Sequence, residues 1–349
     1  MSDKASGVKN KKYNYSKVKF VAIAIFACIV MLLSFTVGRY PISVGEIVSI
    51  FFSKMIGHTS DTVSDAEMVF FQLRFPRVII AFLVGAGLSI AGAAYQGVFR
   101  NPMVSPEILG ASAGAGFGAT LGILLSLNMI GTQMMAFTFG IGAVALTYAI
   151  YSVVGKRHGA TLTLVLGGMV ISALFQASIS IIKYVADPYS KLPAITFWLM
   201  GSFSAVNMDD IAFLLVAMAI GLVPLLLLRW RLNLLAFGDE EAKAMGVDVN
   251  QLRLIVILCA TVVTAAAVAI SGIIAWVGLV VPHMVRMIVG ADYKWLLPTS
   301  ALAGGAFLLI VDDVARGLFA AEIPIGILTA LIGAPFFVYL LFKGRRGWE

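Results

Sequence analysis

The sequence predicts an all-α, polytopic membrane domain, and three observations predict it. Mean hydropathy is +0.97, with 60% of the 349 residues hydrophobic and only 12% charged, which lies outside the range of water-soluble globular domains. Apolar runs near the roughly 20 residues that a spanning helix needs recur about ten times. With the N-terminus placed inside, 18 of the 25 Lys and Arg residues fall on the cytoplasmic side, and only Arg39, Lys54, Arg74, Arg77, Lys183, Lys191 and Arg316 fall outside. That is a positive-inside bias, and an even number of spans then puts both termini in the cytoplasm.

The spans begin near Phe20, Val78, Ile108, Met129, Thr161, Ile211, Leu252, Ile274, Trp295 and Ile323. They divide the chain into a cytoplasmic tail (1–19), a transmembrane domain (20–343) and a second tail (344–349). The first run is too long for a signal-peptide core and lacks a small-residue cleavage site, so it reads as a retained span. The outer loop from Arg39 to Phe75 opens with "SVGE", where Ser43 and Glu46 form a capping box for a surface helix. "RFPRV" then leads into the second span. In the third span Gly110, Gly114, Gly118 and Gly122 recur every four residues, which puts them on one face and lets another backbone approach. The stretch from Pro193 to Val206 is too short to cross. The eighth span, "SGIIAWVGLVVPHMVRMIVG", is interrupted by Gly272, Gly278 and Pro282, as helices at moving or substrate-facing places often are.

Catalytic chemistry finds no support. His58, His158 and His283 lie far apart in sequence near different predicted surfaces, and Cys28 and Cys259 sit singly inside spans. No metal or disulfide framework follows from them. Asp312 and Asp313 resemble half of a metal-diphosphate site, but no second acidic motif converges on them. Arg316, three and four residues on, supplies a local ion-pair partner instead. Ion-coupled transport usually needs carboxylates at mid-membrane depth, and here they cluster at span ends. A secondary transporter working without an ATPase is therefore the alternative reading. A phosphate loop is absent too, since "VVGKRHG" lacks the leading glycine and the following Ser or Thr. If ATP drives this protein, another chain binds it. The net charge of +7 is spread along the whole chain, which argues against nucleic acid.

One short stretch departs from this apolar background. "GDEEAKAMGVDV", residues 238–249, lies on the cytoplasmic side between two spans. Gly238 or Asp239 caps a helix, and Glu240 and Glu241 favour its positive N-terminal end. Gly246 suits the left-handed residue past its C-terminus. Ala242, Met245 and Val249 then offer a small apolar edge, the form of a docking knob for a cytoplasmic partner.

"GDEEAKAMG" resembles the loop by which ABC importer permeases sit in a cleft of their ATPase subunits. Three more stretches narrow the resemblance to the iron-siderophore, haem and cobalamin permease family: "LRFPRVIIAFLVGAGLSIAGAAYQGVFRNPMVSPEILGASAGAGFG", "GLVVPHMVR" and "EIPIGILTALIGAPFFVYLL". The match runs in order from about Pro41 to the C-terminus. It implies the type II ABC importer architecture, with about ten spans per subunit and the pathway along the axis of a homodimer or close heterodimer. It implies two ATPase subunits inside, holding ATP and Mg that this chain does not bind, and an extracytoplasmic substrate-binding protein outside. By resemblance, Arg74, Arg77 and Arg316 dock the binding protein. Asn101, Met103, Thr161 and Leu162 form the cytoplasmic gate. Gly238, Asp239, Glu240, Glu241, Ala242, Met245 and Gly246 make the ATPase coupling element, with Ala242 and Met245 buried against the ATPase. The two prolines of "RNPMVSP" independently require a non-helical break at the inner face. The expected cargo is an iron complex, an iron-siderophore first, with haem or cobalamin as alternatives.

Overall fold

The computed structural model describes residues 2–55, 65–158, 160–317 and 321–344, and among these residues there is no strand. His58 and the tail from residue 345 lie outside the described residues. The chain starts with α1 (Ser2–Ser34), whose membrane-spanning part is Tyr15–Ser34. Helix therefore extends through most of the stretch expected to be a tail. A surface helix α2 (Val44–Met55) follows. Its capping box is present: the Ser43 backbone N–H donates to Glu46 Oε2 at 2.7 Å, and the Glu46 N–H donates to Ser43 Oγ at 3.2 Å. Helix α3 (Asp65–Met68) runs through a π-helical turn, Val69–Arg74, into α4 (Phe75–Val98). Arg74 is thus helical rather than part of a loop.

After the break expected at "RNPMVSP", a 3-10 turn (Pro106–Leu109) leads to α5 (Ala111–Leu124), then α6 (Met129–His158) and α7 (Ala160–Val185). Helix α8 (Lys191–Met200) is the short piece read as too short to cross. Helix α9 (Met208–Leu227) begins at a second capping box, with Asn207 Oδ1 accepting from Asp209 and the Asp210 carboxylate accepting from the Asn207 N–H at 2.9 Å. Two short helices, α10 (Arg229–Leu235) and α11 (Asp239–Ala244), precede α12 (Val249–Ser271), α13 (Val277–Val289), α14 (Tyr293–Gly317) and α15 (Ile325–Gly344).

Seven of these helices are long and apolar enough to cross a membrane, and α5, α13 and α15 supply shorter apolar segments, which together match the expected ten. Helix α4 is the hub, buried along most of its length against α9, α12, α13 and α14. Its small residues make this possible. A Cβ on Gly92 would overlap the carbonyl of Gly278 in α13, and one on Gly85 that of Gly304 in α14. Close backbone approach of this kind replaces the hydrophobic drive that lipid cannot supply.

The four-residue glycine spacing is only partly a packing face. Gly114 and Gly118 press on the backbone of α6, at Phe139 and Met135. Gly110 instead precedes the helix with φ +92°, as its left-handed N-cap, because the chain must turn sharply out of the 3-10 segment there. The interruption near the eighth span likewise sits before α13, from Gly272 to Trp276, rather than in its middle. It meets two other helix ends. The Ser202 N–H donates to Ser271 O at 2.8 Å and the Ile325 N–H to Gly201 O at 2.9 Å, so these open backbone groups find partners within the protein.

Candidate functional site

At the end that the sequence places outside, the π-turn, α4, α14 and the segment before α15 gather Arg74, Arg77 and Arg316 around one cavity of about 320 Å³, also lined by Arg39, Tyr40 and Glu322. The three arginines named from sequence are brought together, but each is engaged within the chain. Arg74 is buried and donates to the carbonyls of Phe35 at 2.7 Å, Thr36 at 3.1 Å, and Tyr40. Arg77 clasps fully buried Asp312 at 2.8 Å and half-buried Glu322 at 3.0 Å. Arg316 pairs with Asp313, approaches Asp312 at 3.5 Å and donates to Ser34 O at 2.7 Å. The local pairing anticipated for Arg316 is therefore present. Arg77 and Glu322 form a contact that sequence reasoning missed, because the two are 245 positions apart.

At the end expected to face inside, α4 terminates with Arg100 in a left-handed conformation (φ 48°), and the Asn101 N–H closes on Gln96 O at 3.1 Å. Asn101 Oδ1 accepts from the Met103 N–H at 2.9 Å. Both side chains are exposed, as is Leu162, while Thr161 is half-buried. The turn Pro106–Leu109 packs on α7, where a Cβ on Gly168 would overlap the carbonyl of Ile108. The loop after Met103 and the helix that begins near Thr161 are thus neighbours, although among the described residues no side-chain hydrogen bond joins the two pairs.

The element expected in the cytoplasm is a helix over Asp239–Ala244, with Gly238 (φ +126°) before it and Gly246 (φ +81°) after it. Asp239, Glu240 and Glu241 occupy its first turn. Its packing corrects the sequence reading in two respects. Ala242 is fully buried in the chain's own core with Val247 and Val249, so it is not an outward edge. Asp239 turns inward, with one carboxylate oxygen 3.0 Å from Arg253 and the other 3.6 Å from Arg100. The outward face holds Met245 and Phe237, both exposed, beside an exposed Glu240–Lys243 pair at 3.0 Å. Asn233 of α10 braces this end by bonding Asp292 at 2.8 Å and accepting from the Tyr293 N–H at 2.9 Å. Among the described residues no group of three or more His, Cys, Asp or Glu could hold a metal ion.

The profile described as the FecCD transport family matches residues 25–343. The chain belongs to that family. Its relatives cover nearly its whole length. A molybdate import system permease of Haemophilus influenzae is 43% identical over 96% of this chain and 98% of its own. A probable iron chelatin transport system permease of Helicobacter pylori is 38% identical over 82% and 86%. A hemin transport system permease of Yersinia pestis is 39% identical over 80% and 84%. A solved structure described as a metal-chelate type ABC transporter in an inward-facing conformation superposes with a TM-score of 0.83 at 42% identity, covering 94% of this chain and all of the other. This FecCD family member is thus the permease component of an ABC importer, a multi-pass membrane protein that is not itself catalytic.

Proposed function

We propose that this permease works as a pair with a second permease subunit, homodimeric or closely related, in the cytoplasmic membrane. Two ATPase subunits engage the cytoplasmic helix Asp239–Ala244, and a binding protein delivers the cargo from outside. The observation that carries this reading is that short acidic helix: it stands clear of the spans, anchored by Ala242, and offers Met245 and Phe237 outward. A solvated loop would need neither a buried anchor nor an exposed apolar pair. ATP and Mg belong to the partner. Asn101, Met103, Thr161 and Leu162 gate the inner end. On the outer side, Arg77 is the residue best suited to receive a carboxylate from the binding protein, because its partner Glu322 is partly exposed and replaceable, whereas Arg74 and Arg316 are themselves buried.

The cargo we propose is an iron complex, an iron-siderophore first and haem or cobalamin next. The names of several relatives support that class. A specific observation favours molybdate as a second reading, since a relative that is 43% identical over nearly the whole of both chains is a molybdate permease. Vesicles holding the permease, its ATPase and its binding protein test both. ATP-dependent accumulation of a labelled ferric siderophore, but not of molybdate, is the expected result. Accumulation of molybdate alone moves the cargo to the second reading. Accumulation driven by a proton gradient without any ATPase would restore a secondary transporter.

A further inference from the structure

Asp239 opens the helix that we assign to ATPase contact, yet its side chain faces away from that outward surface. It lies between two arginines of its own chain that belong to different elements, α12 and the turn after α4. Arg253 is buried in the first turns of α12 and has Asp239 as its ion-pair partner at 3.0 Å. Arg100 is half-exposed, 3.6 Å from the other oxygen, and is the residue immediately before Asn101 and Met103. A Cβ on Gly238 would lie 3.6 Å from Arg100 Nη1, an ordinary van der Waals distance, so the start of α11 lies beside the arginine.

Arg100 is also conformationally unusual. A non-glycine residue in the left-handed region is disfavoured by the approach of its Cβ to the following carbonyl and persists when the surroundings hold it there. Here the left-handed turn ends α4, starts the Asn101–Met103 turn and sends the guanidinium back towards α11. A buried cation such as Arg253 must keep its counter-charge, because breaking such a pair leaves an uncompensated charge. Asp239 is therefore fixed to α12 by one oxygen. Its other oxygen contacts the inner turn through a more exposed and weaker pair.

We infer that Asp239 is a positioning residue that links the ATPase-facing helix to the inner gate turn, with Arg253 as its anchor and Arg100 as its arm to Asn101 and Met103. The inference rests on the ATPase assignment above. A tilt of α11 is carried by the anchored carboxylate, and the arginine arm passes it to the end of α4 without involving the buried bundle. The weak arm is the element that can make and break between states.

The test uses the permease co-expressed with its ATPase subunit, with Cys28 and Cys259 replaced by serine and Met103→Cys as reporter. A bulky maleimide applied from the cytoplasmic side, with and without ATP and vanadate, reads accessibility of the gate turn and needs no knowledge of the cargo. Arg100→Gln removes the arm while leaving the Arg253 anchor. ATPase co-purification and basal hydrolysis should stay near those of the parent. The nucleotide-dependent change in labelling rate should fall about three- to tenfold, within the roughly two- to thirtyfold range of coupling that such contacts carry. Arg100→Lys, which keeps the cation, should restore most of the change; a merely structural role at the α4 terminus would not track charge. A change in Arg100→Gln as large as in the parent overturns the link. So does failure of Arg100→Lys to recover any of it. If the parent itself shows no ATPase association and no nucleotide-dependent labelling, the ATPase assignment falls, and the link falls with it by a different route.

Discussion

Asp312 has no exposed surface and sits between two arginines, with Arg77 at 2.8 Å and Arg316 at 3.5 Å. Removing one partner of a buried ion pair is far costlier than the pair's net worth, because the remaining charge is stranded. Asp312→Ala should therefore destabilise the permease by about 3–5 kcal/mol, whereas Glu322→Gln, at the wetter end of the same arginine, should cost at most about 1 kcal/mol. Thermal unfolding of the purified protein followed by tryptophan fluorescence ranks the two. Equal losses would mean that Glu322 is as structural as Asp312. The residues of this cluster were only half legible in the sequence. The Arg316 pairing follows from i, i+3 and i, i+4 spacing on one helix. The grip of Arg77 on Asp312 and Glu322 spans more than two hundred positions, and no local pattern announces it. The same holds for Arg74, whose partners are backbone carbonyls near α1 and carry no side-chain signature.

At the scale of the element, α11 shows what a local signal settles and what it leaves open. Its caps were readable: an acidic first turn, glycine before it, and a left-handed glycine after it. Which face it buries was not, because six residues have too little periodicity to separate core from contact, and tertiary packing decides. Ala242 went to the core and Met245 to the outside. That reversal changes the mutational logic. Ala242→Arg forces a long cation into a filled interior, where desolvation without a partner is costly, so it should lower folded yield before it affects any partner. Met245→Glu leaves the fold alone and puts a charge on the outward apolar patch. Truncating or charging a central apolar anchor commonly costs about 2 kcal/mol of binding, or about thirtyfold in affinity. The measurement is ATPase retained on the tagged permease through a detergent wash, alongside size-exclusion profiles of both variants. Full retention by a well-folded Met245→Glu protein would show that the ATPase does not contact this face. The break-and-cap readings at "RNPMVSP" and "SVGE" succeeded for the same reason that the face of α11 failed: proline and capping chemistry act within four residues.

For the whole molecule the decisive quantity is the parity of membrane crossings. Seven helices are long enough to span by themselves, which would leave the termini on opposite sides; counting the three shorter apolar helices makes ten and puts them on the same side. Length does not settle it. Helix α5 has 14 residues and α13 has 13, and at 1.5 Å per residue each reaches only about 20 Å, short of a hydrocarbon core near 30 Å. Both, however, continue a non-helical segment that is paired within the protein. The turn Pro106–Leu109 packs on α7, and the extended Gly272–Trp276 segment runs beside the Gly201 corner. Irregular backbone at membrane depth is tolerated where protein surrounds it, so each short helix with its lead-in can complete a crossing. The basic residues agree, because only ten crossings place most of them inside. Three markers then decide the count in a background lacking Cys28 and Cys259. Tyr189→Cys, almost fully exposed after α7, should react with a membrane-impermeant maleimide in cells whose cytoplasmic membrane is intact. Phe237→Cys, exposed between α10 and α11, should react only after permeabilisation. A fluorescent protein fused at the C-terminus, four expected spans beyond Phe237, should fluoresce from the cytoplasm. A C-terminal fusion found outside, with Phe237→Cys still protected, would mean that α13 turns back without crossing, and the gating geometry at the inner face would then have to be rebuilt around an odd number of spans.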